Sequence, residues 1–442
     1  MKVLVLVDGE HYPSVTRWGL AAARSRGHEV VAALFLGGTE KVDPDAPPDL
    51  GVTTFEAGDD QAGGLRAALE RVRAEAVLDL SDEPILGYRE RMGLIGVALA
   101  AGVPYLGSDF RFDPPVHGPP LPVPTIAVIG TGKRTGKTAI GGQLARAAAD
   151  RGLRPIVVAM GRGGPAAPQF AEAGSVTLER LLQLLDEGQH AASDYLEDAL
   201  LAGVATVGAR RAGGGMAGAA YATNAREAAE VAVNAGAELI VLEGSGSTVP
   251  PIPWDTGILV VPASSPPEYV GGYLGPYRLL RSDLVVVTMA QSPNGAQNLS
   301  PLTSHVTRWH ADARLVVTDF EPHPSGDVKG KTVFLATTAP EAVAERHVAH
   351  LEAETGCRVV GRSAHLADRA RLREDMDRTA GYQVLLTELK AAAVDVACRT
   401  AIDAGAEVVF MENRAVAIEG ERDVESHLNE TIDLALARGG VR

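Results

Sequence analysis

At 442 residues the chain is long enough for two or three domains, taking roughly 100–200 residues for each. Its apolar content of 46% and charged content of 22% are those of a folded globular protein, while a formal net charge of -15 speaks against sequence-independent nucleic-acid binding, which needs clustered lysine and arginine. The two cysteines, Cys357 and Cys398, stand far apart and speak against a disulfide framework or a cysteine zinc site.

The chain opens on a short apolar run, Val3–Val7, followed by Asp8. The run is too short for a signal-peptide core, and a membrane span would need about 18 or more mostly apolar residues, which occur nowhere. The expected setting is the cytoplasm, with no membrane partner.

Val3–Val7 reads as a buried parallel strand. A helix is expected over Val15–Arg26, with Gly27 as its stop, and a second strand over Glu29–Leu36. A helix at 61–74, a strand at Ala76–Leu80, a helix at Arg89–Ala101 and a strand at Val103–Leu106 continue the alternation. This pattern predicts a doubly wound parallel-sheet α/β domain over 1–111. The segment Phe112–Pro124 holds six prolines in 13 residues, so it can form neither helix nor inner strand and is expected to be an extended linker over 112–124.

A second α/β unit begins with a strand at Thr125–Ile129 and is expected to run over 125–330. Further strands are expected at Pro155–Met160, Ala205–Val207, Glu238–Leu242, Ile258–Val261, Leu284–Thr288, Leu315–Thr318 and Val333–Ala336. The remainder, 331–442, reads as a C-terminal α/β part: a helix at 340–355, strands at 357–361 and Tyr382–Thr387, a helix at 388–404 and a strand at 407–411. Either a third domain or a continuation of the second sheet fits this stretch.

The first strand of the second unit runs into Gly130-Thr131-Gly132-Lys133-Arg134-Thr135-Gly136-Lys137-Thr138, and an Ala-rich helix follows. Strand, glycine-rich loop and helix in this order make a phosphate-binding loop. Backbone N–H groups wrap a phosphate chain, the helix N-terminus favours the anion, Lys137 reaches the outer phosphates and the Thr138 hydroxyl suits Mg2+. Lys133 and Arg134 add two more cations that can neutralise charge built up in phosphoryl transfer. The first glycine of the usual spacing would fall on Thr131; the glycines stand instead at Gly130 and Gly132. In this the loop resembles that of dethiobiotin synthetase and its relatives.

Downstream, an apolar strand ends in Glu243-Gly244-Ser245-Gly246. An acid at the end of a strand beside such a loop is a candidate for the metal side of the site. Two further loops pair arginine with glycine, at Gly161-Arg162-Gly163-Gly164-Pro165 and at Arg210-Arg211-Ala212-Gly213-Gly214-Gly215. In so acidic a chain they predict a second anionic ligand beside ATP, since glycine admits close backbone approach and guanidinium grips phosphate or carboxylate bidentately.

Asp8-Gly9-Glu10-His11-Tyr12-Pro13, the loop at 130–138, Gly161–Pro165 and Leu242–Gly246, with the late segment Thr387-Glu388-Leu389-Lys390-Ala391-Ala392-Ala393-Val394-Asp395-Val396-Ala397, together resemble the cyclic 2,3-diphosphoglycerate synthetase family, nearly end to end. The resemblance implies closure of 2,3-bisphosphoglycerate to a cyclic phosphoanhydride at the expense of ATP with Mg2+. It implies that Lys137, with Arg134 or Lys133, serves phosphoryl transfer, and that Thr138 and Glu243 hold the metal. Arg162, Arg210, Arg211, Asp8, Glu10, His11 and Lys390 are then the candidates for holding the small anionic substrate. A P-loop ligase or kinase acting on another small carboxylate or phosphate, and a regulatory nucleotide-binding protein, are the competing readings. A homodimer is the expected assembly, as for many parallel-sheet enzymes of this size.

Overall fold

A computed structural model describes residues 1–43 and 48–440. The α/β expectation holds. Two sheets carry the chain: one of six strands and one of 13.

The first sheet is built from β1 (Lys2–Val7), β2 (Glu29–Phe35), β3 (Thr54–Glu56), β4 (Ala76–Asp79), β5 (Tyr105–Leu106) and β6 (Arg111–Phe112), in the order β3-β2-β1-β4-β5-β6. All pairs are parallel except β5–β6. The strand order reverses between β1 and β4, so the polar residues after β1 stand at the switch point of a doubly wound sheet. β1 is buried from Val3 to Val7, as its unbroken apolar run requires of a strand covered on both faces.

The second sheet begins with β7 (Thr125–Gly130), β8 (Pro155–Gly161), β9 (Gln169–Ala171), β10 (Ala205–Ala212), β11 (Ala222–Thr223), β12 (Leu239–Glu243), β13 (Thr256–Pro262) and β14 (Leu284–Thr288). It continues through β15 (Arg314–Pro324), β16 (Thr332–Ala336), β17 (Arg358–Ser363), β18 (Val384–Thr387) and β19 (Glu407–Ala417). Its order is β11-β10-β8-β12-β7-β13-β14-β15-β19-β18-β16-β17, with β9 pairing β10 at the side. Every residue of β7, β8, β12, β13 and β14 is buried. The phosphate-binding loop therefore leaves the sheet from an interior strand.

The sheet answers how 331–442 joins the rest. β15 pairs parallel with β14 over Arg314–Val317, then changes partner and pairs antiparallel with β19 over Thr318–Pro324. β19 does the same in reverse, parallel to β18 over Glu407–Phe410 and antiparallel to β15 from Met411. This exchange makes both strands 11 residues long, where the sequence predicts short strands at Leu315–Thr318 and 407–411. The helix expected over 388–404 begins only at Ala391, and it carries a π-helical stretch over Ala393–Cys398.

The proline-rich segment after β6 is pinned to the second unit. The Gly118 N–H donates to the Pro251 carbonyl at 3.2 Å, and His117 stands edge-on to Trp254 at 5.3 Å. The first sheet docks through its helix Tyr88–Ala100. A Cβ at Gly93 would lie 2.5 Å from the Trp309 ring, and one at Gly96 3.2 Å from Pro276. Only glycine lets this helix approach so closely.

Candidate active site

The loop closes on itself through Lys137. Its ammonium donates to the Gly132 carbonyl at 2.8 Å and reaches the Thr135 hydroxyl at 3.3 Å. Gly130 makes this possible: a Cβ there would sit 2.8 Å from the Thr135 hydroxyl and 3.2 Å from the Lys137 ammonium. Gly136 is left-handed, with φ 94, and a Cβ on it would meet the Phe320 ring at 2.4 Å. The buried Thr135 is fixed at its carbonyl by the Thr288 hydroxyl, 2.8 Å away at the end of β14. Thr131, Gly132 and Thr138 are half-buried, whereas Lys133 and Arg134 are exposed. Arg134 has φ 58, a conformation costly for a long side chain and common at functional loops.

Glu243 ends β12 beside the loop strand, in register with Val128. It is 2% exposed, and its Oε1 has no hydrogen-bond partner. Gly141, on the helix Lys137–Asp150, gives it room, for a Cβ there would fall 2.0 Å from Oε1. Burial pushes the Glu243 carboxyl up to about 8; nearby Asp194 adds to the shift and Lys137 opposes it. Burial pulls Lys137 down to about 8 against the opposing fields of Glu243 and Asp194. Each charge of the pair costs desolvation, and few hydrogen bonds offset it: Glu243 Oε1 has no partner, and Lys137 has the Gly132 carbonyl and the Thr135 hydroxyl.

Beyond the loop lies a cavity of about 400 Å3 lined by Arg162, Arg211, the Gly213–Gly214 turn, Ser247 and Thr248, with no carboxylate in its wall. Side chains from three separate loops come together at neighbouring Gly246: the guanidinium groups of Arg162 and Arg211 and the stem of Lys133. A Cβ at Gly246 would lie 3.3 Å from Arg211 Nη2, 3.8 Å from Lys133 Cγ and 4.0 Å from Arg162 Nη2. Arg211 is 6% exposed and donates to the carbonyls of Gly213 at 2.7 Å and Ser245 at 2.9 Å, and its Nε is unpartnered. Burial, then the neighbouring Arg162, hold its pKa below the ordinary arginine value. A second cavity of about 260 Å3 shares Ser247 with the first and touches Thr131, Met216, Tyr273 and Arg278.

The remaining candidates fall elsewhere. Arg210 is the neighbour of Arg211 on β10, so its side chain leaves the opposite face of the strand. Its Nε donates to the Gly164 carbonyl at 2.6 Å, which makes it a clamp on the Arg162 loop rather than a wall of the cavity. Lys390 precedes its helix, and its ammonium is taken by Glu197 at 2.9 Å and 3.1 Å. It ties the C-terminal strands to the nucleotide unit, so this substrate-binding candidate is already paired with a carboxylate.

Asp8, Glu10 and His11 are brought together, but by one another. The buried Asp8 accepts from the Glu10 N–H at 2.9 Å and the Asp82 N–H at 2.7 Å, and it lies 3.0 Å from His11 Nδ1. His11 Nε2 lies 3.4 Å from Asp82. Hydrogen bonding to Glu40 raises the Glu10 pKa. None of the three lines either cavity.

Sequence reading passed over Ser247, Thr248, Asp194 and Arg278. The first two directly continue Glu243-Gly244-Ser245-Gly246, so the loop could have been read two residues further. Asp194 sits in a stretch without glycine–arginine or strand-end signatures, whereas Arg278 follows Gly271-Gly272 and Gly275, a glycine–arginine pattern that was passed over.

A doubly wound sheet whose interior strand opens into a glycine-rich loop, with Lys137-Thr138 starting the next helix, defines a P-loop nucleotide-binding protein. Family models described as the N-terminal, P-loop and C-terminal domains of cyclic 2,3-diphosphoglycerate synthetase match residues 2–113, 125–318 and 324–414. The cyclic 2,3-diphosphoglycerate synthetase of Rubrobacter xylanophilus is 46% identical over 421 residues, covering 94% of this chain and 95% of that protein. That of Methanothermus fervidus is 39% identical over 448 residues, covering 98% and 97%. The chain belongs to the cyclic 2,3-diphosphoglycerate synthetase family.

Proposed function

We propose that the protein closes 2,3-bisphosphoglycerate to cyclic 2,3-diphosphoglycerate at the expense of ATP, releasing ADP and phosphate. The observation that carries this reading is the acid-free cavity lined by Arg162 and Arg211, with Lys133 of the phosphate-binding loop close by at Gly246. Arg211 is buried there without a carboxylate partner, so a ligand rich in negative charge is what offsets its burial.

The chemistry needs no protein nucleophile. An oxygen of one substrate phosphate attacks the γ-phosphorus of ATP, and the bond from that phosphorus to ADP breaks. The substrate then carries a phosphoanhydride. An oxygen of its second phosphate attacks the inner phosphorus of that group, the ring closes and inorganic phosphate leaves. Tethering of the two phosphates makes the second step intramolecular, worth up to about 7–11 kcal/mol in well-oriented cases. The protein's part is to bring two polyanions together and neutralise them. In this reading Lys137 and the loop N–H groups of 130–138 hold the ATP phosphates, Lys133 and Arg134 serve the transferred group, and Arg162 and Arg211 hold the bisphosphoglycerate.

The orphaned, buried Oε1 of Glu243, and Thr138 about one turn before Gly141 on the helix that Glu243 faces, fit Mg2+. Among the described residues no three His, Cys, Asp or Glu side chains form a metal cage, so an ion here would take further ligands from phosphate and water. Bound there, Mg2+ would neutralise phosphate oxygens. Among the described residues no helix is long and apolar enough to cross a membrane. A cytoplasmic homodimer is the proposed setting.

Phosphorus NMR of products formed from ATP with and without 2,3-bisphosphoglycerate tests the reaction. A new cyclic phosphoanhydride signal, stoichiometric with ADP, is expected. ADP formation indifferent to bisphosphoglycerate would send the search to other anions. Arg162→Ala and Arg211→Ala are each expected to raise KM for bisphosphoglycerate by about tenfold or more, the loss of a charge-assisted hydrogen bond, with KM for ATP little changed. Equal effects on the two substrates would detach these arginines from the second anion.

A further inference from the structure

Arg278 belongs neither to the phosphate-binding loop nor to the three side chains at Gly246. It is 6% exposed, and among the described residues no carboxylate pairs with it. Its guanidinium is spent on carbonyls: Nε and Nη2 donate to Ser247 at 3.0 and 2.8 Å, Nη2 to Met216 at 3.2 Å and Nη1 to Leu274 at 3.4 Å. Ser247 and Met216 lie on two loops that Arg211 also joins, through Ser245 and Gly213. Two buried arginines therefore stitch the same loops together, Arg211 lining the first cavity and Arg278 the second. A buried charge held only by carbonyls is a costly way to join two loops, and its rigid fork fixes their spacing as no apolar residue would.

The short helix that carries Arg278, Gly275–Leu280, is also what the N-terminal unit docks on. A Cβ at Gly96 would come within 3.2 Å of both Pro276 Cβ and the Tyr277 nitrogen, and Tyr277 is 1% exposed. Trp309, which packs on Gly93, donates from Nε1 to the Gly271 carbonyl at 3.1 Å. The N-terminal helix thus presses on the segment 271–280, and Arg278 is a side chain of that segment that hydrogen-bonds the cavity loops.

We propose that Arg278 is a positioning residue for the anion cavity, and that through it the docking of the N-terminal unit sets the spacing of the loops that carry Arg211 and Ser247. This rests on the reading that the cavity takes 2,3-bisphosphoglycerate. It gives the N-terminal unit a part in substrate binding although Asp8, Glu10 and His11 do not line the cavity.

The test is calorimetric titration of 2,3-bisphosphoglycerate, and separately of ATP, into the full-length wild type, Arg278→Gln, Arg278→Lys and Gly96→Val. Arg278→Gln is expected to bind bisphosphoglycerate about tenfold or more weakly, from loss of the charged fork, with ATP affinity within about twofold. Arg278→Lys keeps the charge and recovers part of the loss. Gly96→Val leaves Arg278 in place but forces the two helices apart, and it should weaken bisphosphoglycerate in the same selective way. Equal weakening of both ligands in Arg278→Gln would mark a general structural role and overturn the proposal. So would a folded Gly96→Val with unchanged bisphosphoglycerate affinity, and this variant alone decides if Arg278→Gln does not fold. Wild-type protein that binds no bisphosphoglycerate overturns the functional reading and this inference together. Wild-type binding with unshifted variants overturns this inference only.

Discussion

Lys137→Met is expected to lower kcat/KM for ATP turnover by about a hundredfold to a thousandfold, the usual cost of losing one preorganised charge from a transferring group, while the fold survives. The methionine keeps the apolar stem in its slot between Gly130 and Thr135 and removes only the ammonium. That ammonium is a burden to the empty protein. Its folded pKa, about 8, lies below the ordinary 10.5, so it costs stability fully below pH 8 and ceases to cost as pH rises to 10.5. At neutral pH the variant should therefore melt no lower than the wild type without nucleotide. It should also lose most of the rise in Tm that ATP gives the wild type. Thermal melts with and without ATP, alongside ADP formation, read both effects. ADP formation within about threefold of wild type would remove Lys137 from the ATP site.

Glu243→Gln is expected to show the opposite trade in a pH-dependent form. Activity should fall by about a hundredfold or more, since the amide keeps the shape but not the charge offered to a cation. Stability of the nucleotide-free, metal-free protein should rise. The folded Glu243 pKa, about 8, lies above the ordinary 4.5, so the wild-type native state is penalised increasingly between those values and fully above 8. Glutamine does not titrate. The variant's advantage should be near zero at pH 4.5, grow up to pH 8 on the order of a few kcal/mol, and level off above. Chemical denaturation across that range measures it. A difference independent of pH would mean that Glu243 is not the buried acid responsible, and full activity would take it off the metal side.

Much of this was legible in the sequence because the signals are local. Unbroken apolar runs such as Val3–Val7 and Leu284–Thr288 can be strands only if covered on both faces, and they are. The loop at 130–138 announces itself by glycine spacing, and Glu243 by its place at a strand end. What was not legible depends on direction or on distant partners. Arg210 and Arg211 are equivalent as letters, yet alternation along β10 sends one to Gly164 and the other to the cavity. Lys390 looks like a free cation until Glu197, nearly 200 positions earlier, closes on it. Arg278 follows glycines as the other loop arginines do, but its acceptors are carbonyls, which every residue possesses, so the sequence does not say which loops it joins. The long β15 and β19 were read short because only their mutual pairing extends them.

That pairing of β15 with β19 has a consequence for how the molecule breathes. Through it the late part of the chain leans on the nucleotide loop: Phe320 backs Gly136, Gln143 exchanges two hydrogen bonds with the Ala415 backbone, and Arg146 pairs with Glu412 at 2.6 Å. The helix that opens with Lys137 is thus held on its far side by strands completed more than 250 residues later in the chain. A ligand that steadies the loop must also slow the opening of those strands. ATP should therefore protect backbone amides of β16, β18 and β19 from hydrogen exchange although none of these strands belongs to the phosphate-binding loop, and protease access to the C-terminal strands becomes a report on occupancy of the nucleotide site.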